Sequence, residues 1–579
     1  MKSIRYTASP LLTSQAPVWR SKLLVVGLAL MFLTMIARAA YVQVFDNAFF
    51  RHQGEARFVR TLQLPANRGR ILDRNGLLLA SSVVAPDVWA SPADVDADLA
   101  QRRELARLLD MPLDKLQARL AATDKSFVWL KRHVDAPVAQ QVADLKLAGI
   151  HQDKSYKRRY PEGEAVAQLI GFTDIENQGL DGVELSLDQR LAGHAGSRRV
   201  IRDRLGQVVE QLGEEVPPID GQDVQLSIDV KLQSYAYQKL RDAVDAQGAR
   251  SGSVVVLDAQ SGEVLSLANY PSYTPGNRGE LKGPHLRNLA VTDAFEPGSI
   301  MKPITVAIAL DAGEVAPQTL IETAPGRYKL GRYVIHDTHD YGTLSVQGVI
   351  QKSSNIGALK IAQKLTPQRM WETYAALGLG RRPDIAFPGA TTGQLRLWKD
   401  WRPVEQATMA YGYGLSASPL QIAHAYMAFA NDGVLVPLSL LRRADAALVP
   451  GVRVFSVNTA RAVRRMLQMA VEPGGTGTQA RPVGYSVGGK TGTARKQVDG
   501  GYASRKYRAW FVGMAPVEQP RVVVAVMIDE PSAGHIYGGT VAAPVFRDVV
   551  QQALRIRGIK PDLVVEPAIV ASSAAEEPS

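Results

Sequence analysis

The segment Phe295-Glu296-Pro297-Gly298-Ser299-Ile300-Met301-Lys302-Pro303 sets a serine three residues ahead of a lysine, where a Pro-Gly turn gives way to the apolar run Ile300 to Leu310. Residues at that spacing share a helix face, so Ser299 and Lys302 can meet. Pro303 suits a helix start, because the N–H groups of the first turn have no partner within the helix. A serine hydroxyl attacks a carbonyl only when something takes its proton. Lysine can do so only if its pKa falls from about 10.4, through desolvation or a nearby cation. Lys490-Thr491-Gly492-Thr493 supplies a second cation, and between the two lies Lys352-Ser353-Ser354-Asn355-Ile356-Gly357, a Ser-x-Asn at a helix start. Singly these motifs say little: about two chance Ser-x-x-Lys matches are expected in a chain of this length. A Ser-x-x-Lys at a helix start is usually a cap plus a solvated lysine, and a Lys-Thr-Gly is usually a turn.

In this order, Ser299-x-x-Lys302, Ser353-x-Asn355 and Lys490-Thr491-Gly492 resemble the signature of penicillin-binding proteins and class A β-lactamases. Within such a site Ser299 is the nucleophile and Lys302 its base. Ser353 can relay a proton to the leaving amine, and the Asn355 amide can hold Lys302 and a substrate peptide carbonyl. Lys490 favours neutral Lys302 and attracts a substrate carboxylate, to which the Thr491 and Thr493 hydroxyls can donate. Gly492 lets the acyl group approach the backbone. The backbone N–H groups of Ser299 and Thr493 then form an oxyanion hole, usually the largest single catalytic contribution.

Other readings compete for the same residues. Gly484-Tyr485-Ser486-Val487-Gly488-Gly489-Lys490-Thr491 spells a phosphate-binding loop, and Val522 to Ile528 followed by Asp529-Glu530 mimics the strand and acid of an ATPase. Such a loop needs a helix after it, which the polar run Thr493 to Gly501 does not offer. Gly484 to Gly488 also spells a nucleophile elbow centred on Ser486, with Asp529 and His535 downstream, and it lacks the same helix. The stretch His336-Asp337-Thr338-His339-Asp340 looks like a metal cluster but has no third nearby ligand, so a surface loop is expected and no metal.

The elements that must position this site begin with an anchor. Leu23 to Ala37 is apolar, preceded by Lys2, Arg5, Arg20 and Lys22 without an acid. Counted on to Val44 it gives about 22 residues, or about 33 Å of helix against a hydrocarbon core of about 30 Å. Ala37-Arg38-Ala39 also fits a signal-peptidase site. A retained anchor at 23–44 is expected, with residues 1–22 cytoplasmic and the remainder outside, where no ATP is available. Residues 45–222 mix short strands and charged helices, such as Ala100 to Leu109, with no catalytic constellation. Glu214-Glu215-Val216-Pro217-Pro218-Ile219-Asp220-Gly221 marks a boundary. The second domain, 223–563, opens with a strand at Val224 to Ile228, a helix capped by Asp229 and closed by Gly248, and strands Ser253 to Leu257 and Val264 to Leu267. Strands return at Ala509 to Met514 and Arg521 to Ile528, before a helix around Ala543 to Ile556. The fold class is α+β, one sheet being assembled from both ends of the domain. Residues 564–579 read as a disordered tail.

Composition narrows the function classes. The net charge of +11 comes from scattered basic residues with no base-stacking ladder of aromatics, so nucleic acid is not an expected partner. A chain with no cysteine has no disulfides, thiol catalysis or thiolate zinc sites.

Arg68-Gly69 with Asp73-Arg74 and Gly76, Arg159-Tyr160-Pro161 with Gly163, and Gly179, Gly182 and Glu184 extend the likeness beyond the trio. So do Tyr411-Gly412-Tyr413-Gly414-Leu415-Ser416, Ala430-Asn431-Asp432-Gly433 and Tyr537-Gly538-Gly539. From the membrane helix to about residue 563 the chain resembles the class B penicillin-binding proteins of the FtsI type, the division transpeptidases also called penicillin-binding protein three. The resemblance implies an elongated mixed α/β pedestal of the dimerisation type at 45–222. It also implies a transpeptidase domain at 223–563 with a central antiparallel sheet flanked by helices. In the pedestal and its junction Arg68, Asp73, Arg159 and Glu184 are expected to pair charges. The implied substrates are peptidoglycan stem peptides, lipid-linked or on nascent glycan strands, with a D-Ala-D-Ala donor and an amine acceptor. β-Lactam antibiotics are implied inhibitors, an FtsW-type glycosyltransferase and other divisome membrane proteins are implied partners, and no cofactor is implied. The implied location is the bacterial inner membrane at the septum, single-pass, with the catalytic domain periplasmic. Alternatives are an elongation-type transpeptidase, a D,D-carboxypeptidase or β-lactamase, and a non-catalytic divisome scaffold.

Overall fold

The structure is a computed structural model that describes residues 18–45, 59–202, 208–277, 279, 281–444, 449–498 and 501–564. The expected tail, from residue 565, and most of the expected cytoplasmic segment, residues 1–17, lie outside the described residues. Two compact units divide the chain, each drawn from more than one stretch of sequence. One unit takes the described parts of 1–65, 86–154 and 195–218, and the other those of 66–85, 155–194 and 219–579. The second unit thus recruits two stretches from the amino-terminal half.

In the first unit the apolar helix Val18–Ala40 continues as a π-helical turn, Tyr41–Phe45. It begins five residues before the expected anchor at 23–44, because Arg20 and Lys22 are good helix formers although they are not apolar. Val18–Gln43 is, among the described residues, the one helix long and apolar enough to cross a membrane. Asp87–Ala90 is the middle strand of a three-stranded sheet, flanked by Val128–Lys131 and Ile150–Asp153. Helices Leu99–Leu108, Leu113–Leu120 and Ala136–Asp144 bury Leu105, Leu116 and Val142 in one core with Val88 and Leu130 of that sheet. The first of these helices starts on a capping box between Asp98 and Gln101, which satisfies two end groups reciprocally. A second three-stranded sheet pairs Val59–Leu64 with Gly196–Arg202 and that strand with Val208–Gln211.

The second unit is built on a five-stranded antiparallel sheet, ordered Val264–Tyr270, Ser251–Asp258, Val522–Asp529, Gly501–Ala515, Gly488–Val498. Both ends of the domain contribute, as its sequence pattern predicts. Along Val522–Asp529 alternate residues enter different cores: Val522, Val524, Val526 and Ile528 on one side, Val523, Ala525 and Met527 on the other. A strand buried on both faces reads as an unbroken apolar run. Helices Val230–Ala246 and Ala543–Ile556 cover the first face, and the second carries the helical layer that includes Lys302–Asp311 and Pro419–Ala430. Asp229 caps its helix, accepting from the Lys231 and Leu232 N–H groups. The strand expected at Val224 to Ile228 shrinks to Val224–Gln225 and joins another sheet, parallel to Ile71–Leu72. Leu226 then turns to an isolated bridge with Leu441, and both Leu226 and Ile228 go to the core.

The charge pairing expected in this region differs in detail. Glu184, fully buried, receives Arg68 Nε and Arg158 Nε, each at 2.7 Å. Arg158, and not Arg159, reaches Glu184 because successive residues of the Tyr156–Arg159 strand point to opposite faces. Among the described residues Asp73 forms no ion pair; it accepts the backbone N–H groups of Asn75, Leu77 and Val230, fastening a turn to the start of a helix.

Candidate active site

Ser299 sits in the 3-10 turn Gly298–Met301, which passes directly into the helix Lys302–Asp311. Gly298 has φ +63, a conformation glycine adopts without strain, and its N–H donates to the Gly412 carbonyl at 3.0 Å. The Tyr411-to-Leu415 loop is thereby pressed against the turn. On the other side runs the edge strand Gly488–Val498: a Cβ at Gly492 would lie 3.0 Å from the Pro297 carbonyl oxygen and 3.1 Å from Ile300 Cγ2. Glycine at 492 is what allows strand and turn to touch.

Lys302 and Lys490 are both fully buried, one on the helix and one on the edge strand. They converge on Ser353. Lys302 Nζ donates to the Ser353 carbonyl and lies 3.2 Å from its Oγ. Lys490 Nζ reaches the same Oγ at 2.8 Å, and the Thr491 carbonyl at 3.1 Å. Ser353 closes the helix Val346–Lys352 in a left-handed conformation, φ 60 and ψ 39, unusual for a residue with a side chain. That twist turns its hydroxyl and carbonyl to the two ammonium groups. Burial pulls Lys302 down to about 7, against an opposing pull from the Asp337 carboxylate. Burial, and then the charge of Lys302, pull Lys490 well below the ordinary lysine range. Two cations on one hydroxyl titrate as a pair, and the pair gives up a proton at a pH where a solvated lysine would keep it.

Asn355 starts the helix Asn355–Ala362, but it does not reach Lys302: its Nδ2 donates to the His336 carbonyl at 2.9 Å. Asp337, a residue the sequence offered only as part of an apparent metal cluster, holds this helix start. Its carboxylate accepts from Ser354 Oγ at 2.5 Å, from the Asn355 N–H and from the Ile356 N–H at 3.1 Å. Among the described residues no three His, Cys, Asp or Glu side chains gather as a metal site. Thr491 Oγ1 lies 2.7 Å from Thr476 Oγ1, and Thr493 Oγ1 accepts from the Gly538 N–H at 3.2 Å. The Arg495 N–H donates to the Tyr413 hydroxyl, 3.2 Å away and off the sheet, so by strand alternation the Thr493 N–H projects from the same free edge. Asp337, Thr476 and Tyr413 were not legible as site residues, since each contacts the motifs across the fold rather than along the chain.

Comparison with known proteins shows the family. Residues 252–551 match the penicillin binding protein transpeptidase domain, and 63–226 the penicillin-binding protein dimerisation domain. The chain is 45% identical over 546 residues to the probable peptidoglycan D,D-transpeptidase PenA of Neisseria gonorrhoeae, covering 94% of this chain and 93% of that protein. It is 39% identical over 553 residues to the peptidoglycan D,D-transpeptidase FtsI of Escherichia coli strain K12, covering 94% and 93%. The chain is a class B penicillin-binding protein of the FtsI type. Among solved structures it is similar to the apo transpeptidase domain of Burkholderia pseudomallei penicillin-binding protein 3, with 51% identity, a TM-score of 0.55 and coverage of 58% of this chain and 98% of that one.

The rival readings fail in this penicillin-binding protein on placement. Lys490 lies within a strand and not at the head of a helix. Ser486 Oγ bonds to Asp562 and accepts from the Val517 N–H, while Asp529 pairs with Arg508 and Lys496, so Ser486, Asp529 and His535 form no triad.

Proposed function

We propose that this serine-type peptidoglycan D,D-transpeptidase acts in septal wall synthesis through an acyl-enzyme on Ser299. Ser299 Oγ attacks the penultimate D-Ala carbonyl of a D-Ala-D-Ala donor and gives its proton to neutral Lys302. The oxyanion meets the Ser299 and Thr493 N–H groups, an arrangement in which each donor is worth about 10²–10³ in rate. Ser353 passes a proton to the nitrogen of the leaving D-Ala, the C–N bond breaks and an ester remains. The amine of a neighbouring stem then attacks that ester, a new C–N bond forms as the acyl C–O bond to Ser299 breaks, and the proton lost by the amine returns to Ser299 Oγ. Lys490, with the Thr491 and Thr493 hydroxyls, receives the donor carboxylate, Gly492 leaves room for the acyl chain, and Asn355 holds the peptide.

The observation that carries this reading is the meeting of two buried lysines on the Ser353 hydroxyl. A carboxylate arriving at Lys490 supports its charge and drives Lys302 toward the neutral, basic form. The apolar helix anchors the chain in the membrane, and the reading puts the amino end in the cytoplasm, the site in the periplasm, and the protein at the septum beside an FtsW-type glycosyltransferase. Residues 223–563 serve as the catalytic domain and 45–222 as a non-catalytic pedestal, from which 66–85 and 155–194 pack with the catalytic unit. Turnover of a D-Ala-D-Ala donor with and without an amine acceptor tests the chemistry: cross-linked product is expected, and release of free acid alone would make the protein a carboxypeptidase. Depletion should give filamentous cells, whereas swelling would point to elongation.

A further inference from the structure

The residues Arg327–Leu330 and Tyr333–His336 form an antiparallel hairpin whose base is part of the site, since the Asn355 amide donates to the His336 carbonyl. Its register places Arg327 opposite His336 and Lys329 opposite Val334, so these four side chains share one face. All four are exposed, while Tyr328, Leu330 and Ile335, on the opposite face, pack on the main core. The outward face therefore carries Arg327, Lys329 and His336 next to the Ser-x-Asn helix. Among the described residues neither Arg327 nor Lys329 has a carboxylate within 4.0 Å, although acids are close in the chain. Asp337 is engaged by Ser354, Asn355 and Ile356, and Asp340 accepts from the Gly342 N–H. Inward packing fixes the hairpin, and its cations are left to an anion from outside.

We propose that this face binds the carboxylates of the acceptor stem peptide and so aims its amine at the Ser299 ester. This inference rests on the transpeptidation reading above. The donor carboxylate already has Lys490, which is buried, whereas an incoming acidic peptide needs a solvent-facing cationic surface beside the ester. Long-range attraction of this kind also steers encounter. A tightly coordinated small anion is a poorer occupant, because Arg327 and Lys329 are separate, exposed and held by nothing but their strand.

The test compares one synthetic stem-peptide amine in two forms, with its carboxylates free and with them converted to carboxamides, as acceptors for the acyl-enzyme of the full chain. The expected result is a preference of about ten-fold for the free-carboxylate acceptor, measured as transfer over hydrolysis. That preference should collapse in Arg327→Glu/Lys329→Glu and, in the unaltered protein, as salt shortens the screening length. Acylation by penicillin involves no acceptor and serves as the internal reference. Equal use of both acceptors by the unaltered protein, a preference that survives the double substitution, or a parallel fall in penicillin acylation would overturn the assignment. Failure of the unaltered protein to form any acyl-enzyme would instead remove the catalytic reading, and this one with it.

Discussion

Lys302 Nζ and Lys490 Nζ approach the same oxygen, Ser353 Oγ, at 3.2 and 2.8 Å. Their backbones belong to a helix and to the edge strand of the sheet, so the contact exists only when helix, Ser353 cap and strand are all in place. The fold thus prepares a lysine base by removing water, an effect that outweighs the opposing pull of the Asp337 carboxylate.

The pH dependence of acylation follows from Lys302. The base must be neutral, and with its titration near 7 the rate of penicillin acylation should fall about ten-fold per unit below that pH and level off above it. Stopped-flow acylation between pH 5 and 9 reads this directly. Stability has a matching sign. The unfolded chain holds the Lys302 proton up to about 10.4, so between about 7 and 10.4 it binds more protons than the folded chain. Stability from this group therefore rises with pH through that window, and the full burial cost applies below it. Lys302→Met should unfold at a higher temperature than the parent at pH 6, with an advantage that shrinks toward pH 10.

Asp337 acts through Asn355 and Lys302 rather than on substrate. Asp337→Asn removes a charge that raises the Lys302 proton affinity, so the acylation profile should shift to lower pH. Asp337→Ala also frees the Ser354, Asn355 and Ile356 contacts and should lower the plateau rate by about ten-fold. An unchanged midpoint in Asp337→Asn would separate Asp337 from Lys302.

Glu184 tests the buried charge cluster it forms with Arg68 and Arg158. Glu184→Gln leaves buried Arg158 without a carboxylate, while Arg68 keeps Asp188, and should cost about 3 kcal/mol in urea unfolding. A loss under 1 kcal/mol would mean that solvent reaches the Arg158 guanidinium.

The motifs around Ser299, Ser353 and Lys490 were legible because each is local, and their order carried the reading. The buried strands were legible because both of their faces are apolar. The edge strand Gly488–Val498 was not, since Lys490, Thr491, Thr493 and Arg495 show neither an apolar run nor a clean alternation; its partner in the sheet is the adjoining Gly501–Ala515 strand. The choice of Arg158 over Arg159 needed strand parity, which two adjacent arginines do not reveal. Asp337 needed a contact across 18 residues, from a hairpin to a helix start.

Intact-mass and peptide-mass measurement after incubation with benzylpenicillin should find one adduct per chain, on the Ser299 peptide, present in Ser486→Ala and absent in Ser299→Ala. An adduct that persists in Ser299→Ala would contradict the account.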